Sequence, residues 1–122
     1  MTCDIFTAPK SWGIIDTDTL KILLLSKTPL ILLDARTHKW DDGRRIPGAK
    51  SLTNESSPTE IEAALPHKEA LIVVYCSHLQ CGASERLAKC LAELGYTCIL
   101  KYAQGLEKWV EQGNPIQASS PK

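Results

Sequence analysis

Apolar runs alternate with polar stretches along the whole chain. Leu71–Tyr75 is an unbroken apolar run rich in β-branched residues. It predicts a strand buried on both faces, as in a parallel sheet. Leu30–Leu33, followed by Asp34, predicts a second buried strand. Gly13–Ile15, Ala49–Leu52 and Thr97–Tyr102 predict shorter ones. Helical spacing fills the intervals. Leu20, Leu23 and Leu24 form a stripe after N-cap candidates in Asp16–Thr19, and Pro29 ends it. Ser57, Pro58 and Glu60 combine a cap, a first-turn proline and a capping-box partner, and Pro66 stops that helix. Ala83, Leu87, Ala88, Leu91 and Leu94 share one helical face, with Gly95 where a C-terminal cap glycine belongs. Leu106, Trp109 and Val110 share another, closed by Gly113 and Pro115. Thr37–Pro47 is polar and charged and broken by Gly43, so a loop with room for a helical turn is expected there.

Strands that alternate with helices predict an α/β domain with a mostly parallel sheet of about five strands and helices on both faces. Ligands of such sheets sit outside the carboxyl ends of the strands. The 122 residues suit one domain, 1–122, with its core over about 13–116 and irregular ends, including the tail after Ile116. Lys plus Arg equals Asp plus Glu at 14 each, so no nucleic-acid or anionic-membrane partner is expected. No apolar run approaches the roughly 20 residues of a membrane span, and the N-terminus lacks a signal-peptide pattern. The five cysteines are Cys3, Cys76, Cys81, Cys90 and Cys98. An odd number without an export signal predicts a reducing, cytoplasmic setting rather than a disulfide framework. Cys90 and Cys98 are expected to be small core or near-core residues.

The chemistry concentrates in one unit: the strand Leu71–Tyr75, then Cys76, then a loop to Gly82, then a helix. Backbone N–H groups at a helix N-terminus carry partial positive charge and stabilise a thiolate or an oxyanion held there. Cys76 is therefore the candidate nucleophile. Cys81 has three readings: a disulfide partner, a thiol that resolves an oxidised Cys76, or a packing residue. His78 is expected at the pocket rim, with a cationic role near a bound donor as the alternative. Cys76, His78 and Cys81 match no zinc spacing, so no metal is expected. Arg44 and Arg45 form a basic pair that faces either an anionic donor or solvent. Arg86, in the first turn of the helix, reaches either the pocket or solvent. Trp109 is read as core and Trp40 as pocket wall or partner contact.

Four segments carry a family likeness: LLDAR at 32–36, IPGAKSL at 46–52, VVYC at 73–76 and LGYTCILKYAQGLEKWVEQGNP at 94–115. In this order they resemble a single-domain rhodanese of the sulfurtransferase type over nearly the whole chain. The resemblance implies a rhodanese-like three-layer α/β/α fold and a persulfide formed on Cys76. It places Ser77, His78, Leu79, Gln80, Cys81 and Gly82 in the substrate-binding loop, with Asp34, Arg36 and Arg86 in support. No cofactor is implied. The expected partners are a small anionic sulfur donor such as thiosulfate, or a protein persulfide, and a thiol or cyanide-like acceptor. The chain departs from the family pattern in three places. Gln104 stands for the first of a usual glycine pair, and Arg45 stands where histidine often precedes the IPGA turn. The loop after Cys76 is also about two residues longer than in typical members. A related phosphatase or arsenate reductase needs an arginine in the loop to clamp an oxyanion, and Cys76–Gly82 has none. A catalytically silent rhodanese-like binding or regulatory module is the other reading, favoured by that missing cation and opposed by the retained cysteine.

Overall fold

The structure, a computed structural model, describes residues 12–37, 43–78 and 81–118. Its chain order is β1 (Gly13–Ile15), α1 (Thr17–Leu25), β2 (Ile31–Asp34), β3 (Arg44–Arg45), β4 (Lys50–Ser51), α2 (Pro58–Ala64), β5 (Ile72–Tyr75), α3 (Ala83–Glu93), β6 (Ile99–Tyr102), α4 (Gly105–Glu111) and β7 (Gln117–Ala118). Five strands form one sheet in the order β1-β6-β5-β2-β4. Every pairing in it is parallel. β5 is central, and its side chains are buried at every position.

Alternation along the strands sorts the core into two layers. Leu33, Ile72 and Val74 face Ile61 of α2 and Leu87, Ala88 and Leu91 of α3. Leu32, Val73 and Tyr75 face Leu20 of α1 and Leu106 and Trp109 of α4. Helices thus cover both faces, and the unbroken apolar run of β5 is explained: it has no solvent side. Each such large side chain contributes about 1.5–3 kcal/mol by leaving water. Among the described residues no helix is long and apolar enough to cross a membrane.

Local signals in the sequence set the helix ends. Asp16 caps α1 by accepting from the Thr19 N–H at 2.8 Å. After α3, Gly95 takes a φ of +98°. The Gly95 and Tyr96 N–H groups then bond back to the Ala92 and Leu91 carbonyls, the paired arrangement that a left-handed residue after a helix permits. At α2 the capping box forms in full. Ser57 Oγ accepts from the Glu60 N–H at 3.1 Å, and Glu60 Oε1 accepts from the Ser57 N–H at 2.8 Å. Ser57→Ala is expected to cost about 1 kcal/mol and Ser57→Gly only a few tenths. Urea-unfolding midpoints at constant slope check this.

Two expectations need correcting. The loop 37–47 and the C-terminal tail are not merely irregular, because Arg44 and Arg45 pair antiparallel with Ala118 and Gln117 in a two-stranded sheet. Cys98 is buried as expected but is not a free thiol: it is disulfide-bonded. Cys81 is also bonded, to Cys76, and among the described residues Cys90 is the free cysteine. The odd cysteine count therefore did not mean an absence of disulfides.

Candidate active site

Cys76 follows directly on β5, at the carboxyl edge of the sheet, and is 2% exposed. Its backbone is anchored by the start of α4. The Leu106 N–H donates to the Cys76 carbonyl at 2.9 Å, and the Glu107 N–H donates to the Ser77 carbonyl at 2.8 Å. Such close approach needs Gly105. A Cβ there would lie 2.7 Å from Ser77 C and 2.8 Å from both Cys76 O and His78 N, and its φ is +76°. Only a residue without a Cβ combines that contact with that backbone. The second glycine of the family's pair is thus retained where the loop rests on it.

The departure at Gln104 also has a physical role. Its side-chain carbonyl accepts from the N–H and the hydroxyl of Thr17, both at 2.9 Å. The Thr17 hydroxyl in turn shares a 2.6 Å hydrogen bond with the Tyr102 hydroxyl. Gln104 therefore clamps the turn before α4 to the first turn of α1.

The loop after Cys76 closes on itself. The Cys81 N–H donates to the His78 carbonyl at 3.1 Å. The Cys76 and Cys81 sulfurs are bonded, with their Cα atoms 6.2 Å apart. Of the three readings of Cys81, the structure shows the disulfide partner. Leu79 and Gln80 lie outside the described residues, as does Trp40. Ser77, His78 and Cys81 are half-buried at the rim. Gly82 stands at the N-cap position of α3 and makes no side-chain cap bond. The first-turn N–H groups of α3, next in the chain after the loop, are therefore left without a side-chain cap. Arg86 is exposed but leans back toward the loop, because a Cβ on Gly82 would come within 2.9 Å of its Nη1. A cation absent from the loop itself is thus supplied beside it by α3.

Asp34 and Arg36 form the support on the neighbouring strand, and both are buried. Asp34 Oδ1 accepts from the Arg36 N–H and Nε at 3.0 Å, and Oδ2 accepts from Arg36 Nη2 at 2.8 Å. Arg36 Nη2 also donates to the Arg44 carbonyl. Arg45 reaches the same carboxylate at 3.2 Å, so its charge is spent within the fold rather than on a donor. Tyr75 completes the cluster. Its hydroxyl donates to Asp34 Oδ2 at 3.2 Å and accepts from the Ile46 N–H at 3.1 Å. Burial, with the Asp34 charge next to it, pushes the Tyr75 phenol far above its ordinary value, so it stays protonated as a donor. The residue immediately before Cys76 thereby pins β5 to β2 and to the turn at Ile46–Gly48.

Tyr75, Gly105 and Gln104 were not singled out as site residues from the sequence. The signal for Tyr75 was a hydroxyl at the end of a fully buried strand, which has to find partners. Trp109 is core, 3% exposed, and its Nε1 donates to the Pro115 carbonyl at 2.6 Å.

Comparison with curated proteins returns no match. Solved structures share the fold. A Bacillus halodurans protein superposes with a TM-score of 0.77 at 23% identity, over 88% of this chain and 77% of that one. The rhodanese-like domain of an Anabaena protein gives 0.67 at 23% identity, over 93% and 81%. A thiosulfate sulfurtransferase from Pseudomonas aeruginosa gives 0.67 at 15% identity, over 91% of this chain and 21% of that one. The family description "Rhodanese-like domain" matches residues 16–112, a span that runs from the cap of α1 to the end of α4 and takes in Asp34, Cys76 and Gly105. The chain belongs to the rhodanese-like domain family.

Proposed function

We propose that the protein is a sulfurtransferase that carries a persulfide on Cys76. The observation that supports this most is the position of Cys76. It sits at the carboxyl end of the central strand, ahead of an uncapped α3 N-terminus, in a loop held down by Gly105. In the reduced protein the Cys76 thiolate attacks the outer sulfur of a donor such as thiosulfate. The new bond joins Cys76 Sγ to that sulfur, and sulfite leaves with the electron pair of the broken S–S bond. Partial positive charge at the start of α3, with Arg86 beside it, favours both the thiolate and the anionic donor. The sulfane sulfur then passes to a thiol or cyanide-like acceptor.

The disulfide to Cys81 has to be opened first, since a bonded sulfur is no nucleophile. The test is mass spectrometry of protein reduced with a phosphine, freed of reductant, and incubated with thiosulfate or mercaptopyruvate. Release of one sulfite per chain from thiosulfate is expected, and in Cys81→Ser, which keeps Cys76 and lacks its bonded partner, the sulfur is traced to the Cys76 peptide. A reduced protein that takes no sulfur from either donor would instead be the silent binding or regulatory module.

A further inference from the structure

We infer that Cys81 is a resolving thiol that converts the Cys76 persulfide into free sulfide, so that the protein reduces sulfane sulfur at the expense of a dithiol. This rests on the persulfide reading above and adds the fate of the sulfur. The observation is which atom Cys81 meets. Its sulfur is bonded to Cys76 Sγ, the inner sulfur of a persulfide, across a Cα separation of 6.2 Å. That separation lies within the span disulfides need. The turn that brings Cys81 there is held by its own N–H on the His78 carbonyl. Attack on the outer sulfur would only move the persulfide from one cysteine to the other. Attack on the inner sulfur expels it.

The step balances. The Cys81 thiolate forms a bond to Cys76 Sγ, and the bond from Cys76 Sγ to the outer sulfur breaks. Its electron pair leaves with the outer sulfur as hydrosulfide, which takes up the proton given by the thiol. The sulfane sulfur gains two electrons, one from each cysteine sulfur as they join. A dithiol, either a small molecule or a dithiol protein, then restores both thiols by two exchange steps and itself becomes a disulfide. With thiosulfate as donor the sum is thiosulfate plus dithiol giving sulfite, sulfide and the oxidised dithiol.

No other described cysteine is placed to do this. Cys98 lies at the opposite edge of the sheet, where its carbonyl accepts from the Ile72 N–H at the start of β5. Cys90 is two turns into α3, roughly 10 Å along the helix from its first residue.

A single turnover without added thiol tests the idea. Protein is reduced with a phosphine, freed of reductant under anaerobic conditions, and mixed with thiosulfate. Sulfite and sulfide are then measured separately, and peptides are mapped without reduction. One sulfite and one sulfide per chain, with a Cys76–Cys81 linkage, are expected. Cys81→Ser should release the sulfite, retain the added sulfur on Cys76 and release no sulfide; Cys90→Ser should behave as the parent. Sulfite without sulfide, with a lasting persulfide on the parent, overturns the inference and leaves the sulfurtransferase reading standing. Sulfide without a Cys76–Cys81 linkage also overturns it. Absence of sulfite from thiosulfate, together with absence of pyruvate when mercaptopyruvate replaces it, overturns the reading on which it rests. The parent result alone is decisive should Cys81→Ser fail to fold.

Discussion

Cys76→Ser is expected to take up no sulfur and to release no sulfite from thiosulfate, while unfolding within about 1–2 kcal/mol of the reduced parent. A serine hydroxyl is nearly isosteric with the thiol but is a poor nucleophile at neutral pH without an adjacent general base. The backbone bonds that hold the loop, from Leu106 and Glu107 to the Cys76 and Ser77 carbonyls, do not involve the side chain. The small stability cost comes from burying a hydroxyl where the thiol is 2% exposed. Comparison with the reduced parent removes the effect of losing the bond to Cys81. Sulfite release by the variant at the parent rate would dismiss Cys76 as the nucleophile.

The second large effect is on stability. Asp34→Ala is expected to cost about 3–5 kcal/mol, the range for removing one partner of a buried ion pair. The carboxylate is 1% exposed and takes hydrogen bonds from Arg36, Arg45 and Tyr75. Its loss leaves the buried Arg36 charge without that carboxylate and the buried Tyr75 hydroxyl without that acceptor. A domain of this size has only about 5–15 kcal/mol in hand, so the substitution removes a large share of its stability. Asp34→Asn keeps the shape and part of the acceptor capacity and should lose less. Urea unfolding of the two variants checks the order. A midpoint for Asp34→Ala within error of the parent would mean that the cluster adds little to the fold.

Asp34 also shows where reading the sequence stops. That a buried strand ends at Asp34, and that Arg36 lies two residues on, were legible. Arg45 was legible only as half of a basic pair facing either a donor or solvent. The structure puts its guanidinium on the Asp34 carboxylate, 11 residues away. For Tyr75 the strand position was legible and the partners were not. Its hydroxyl bonds to Ile46, 29 residues earlier, because β5 lies beside β2 and the turn after β3 passes over their ends.

The sequence by itself determined the strand–cysteine–loop–helix unit, both faces of the sheet and the capping of α1, α2 and α3. Each of these follows from residues a few positions apart: apolar periodicity, Asp16 or Ser57 ahead of a first turn, Gly95 behind a last one. The tertiary structure alone decided the rest. It joined Arg44–Arg45 to Gln117–Ala118 and tied Gln104 to Thr17, 87 residues apart. It set Gly105 against the Cys76 loop and selected the bonded state from the readings of Cys81. Periodicity and caps act through the local backbone, so they are written in short stretches. These contacts depend on which loops the strand order brings to one edge of the sheet, and no local pattern encodes that.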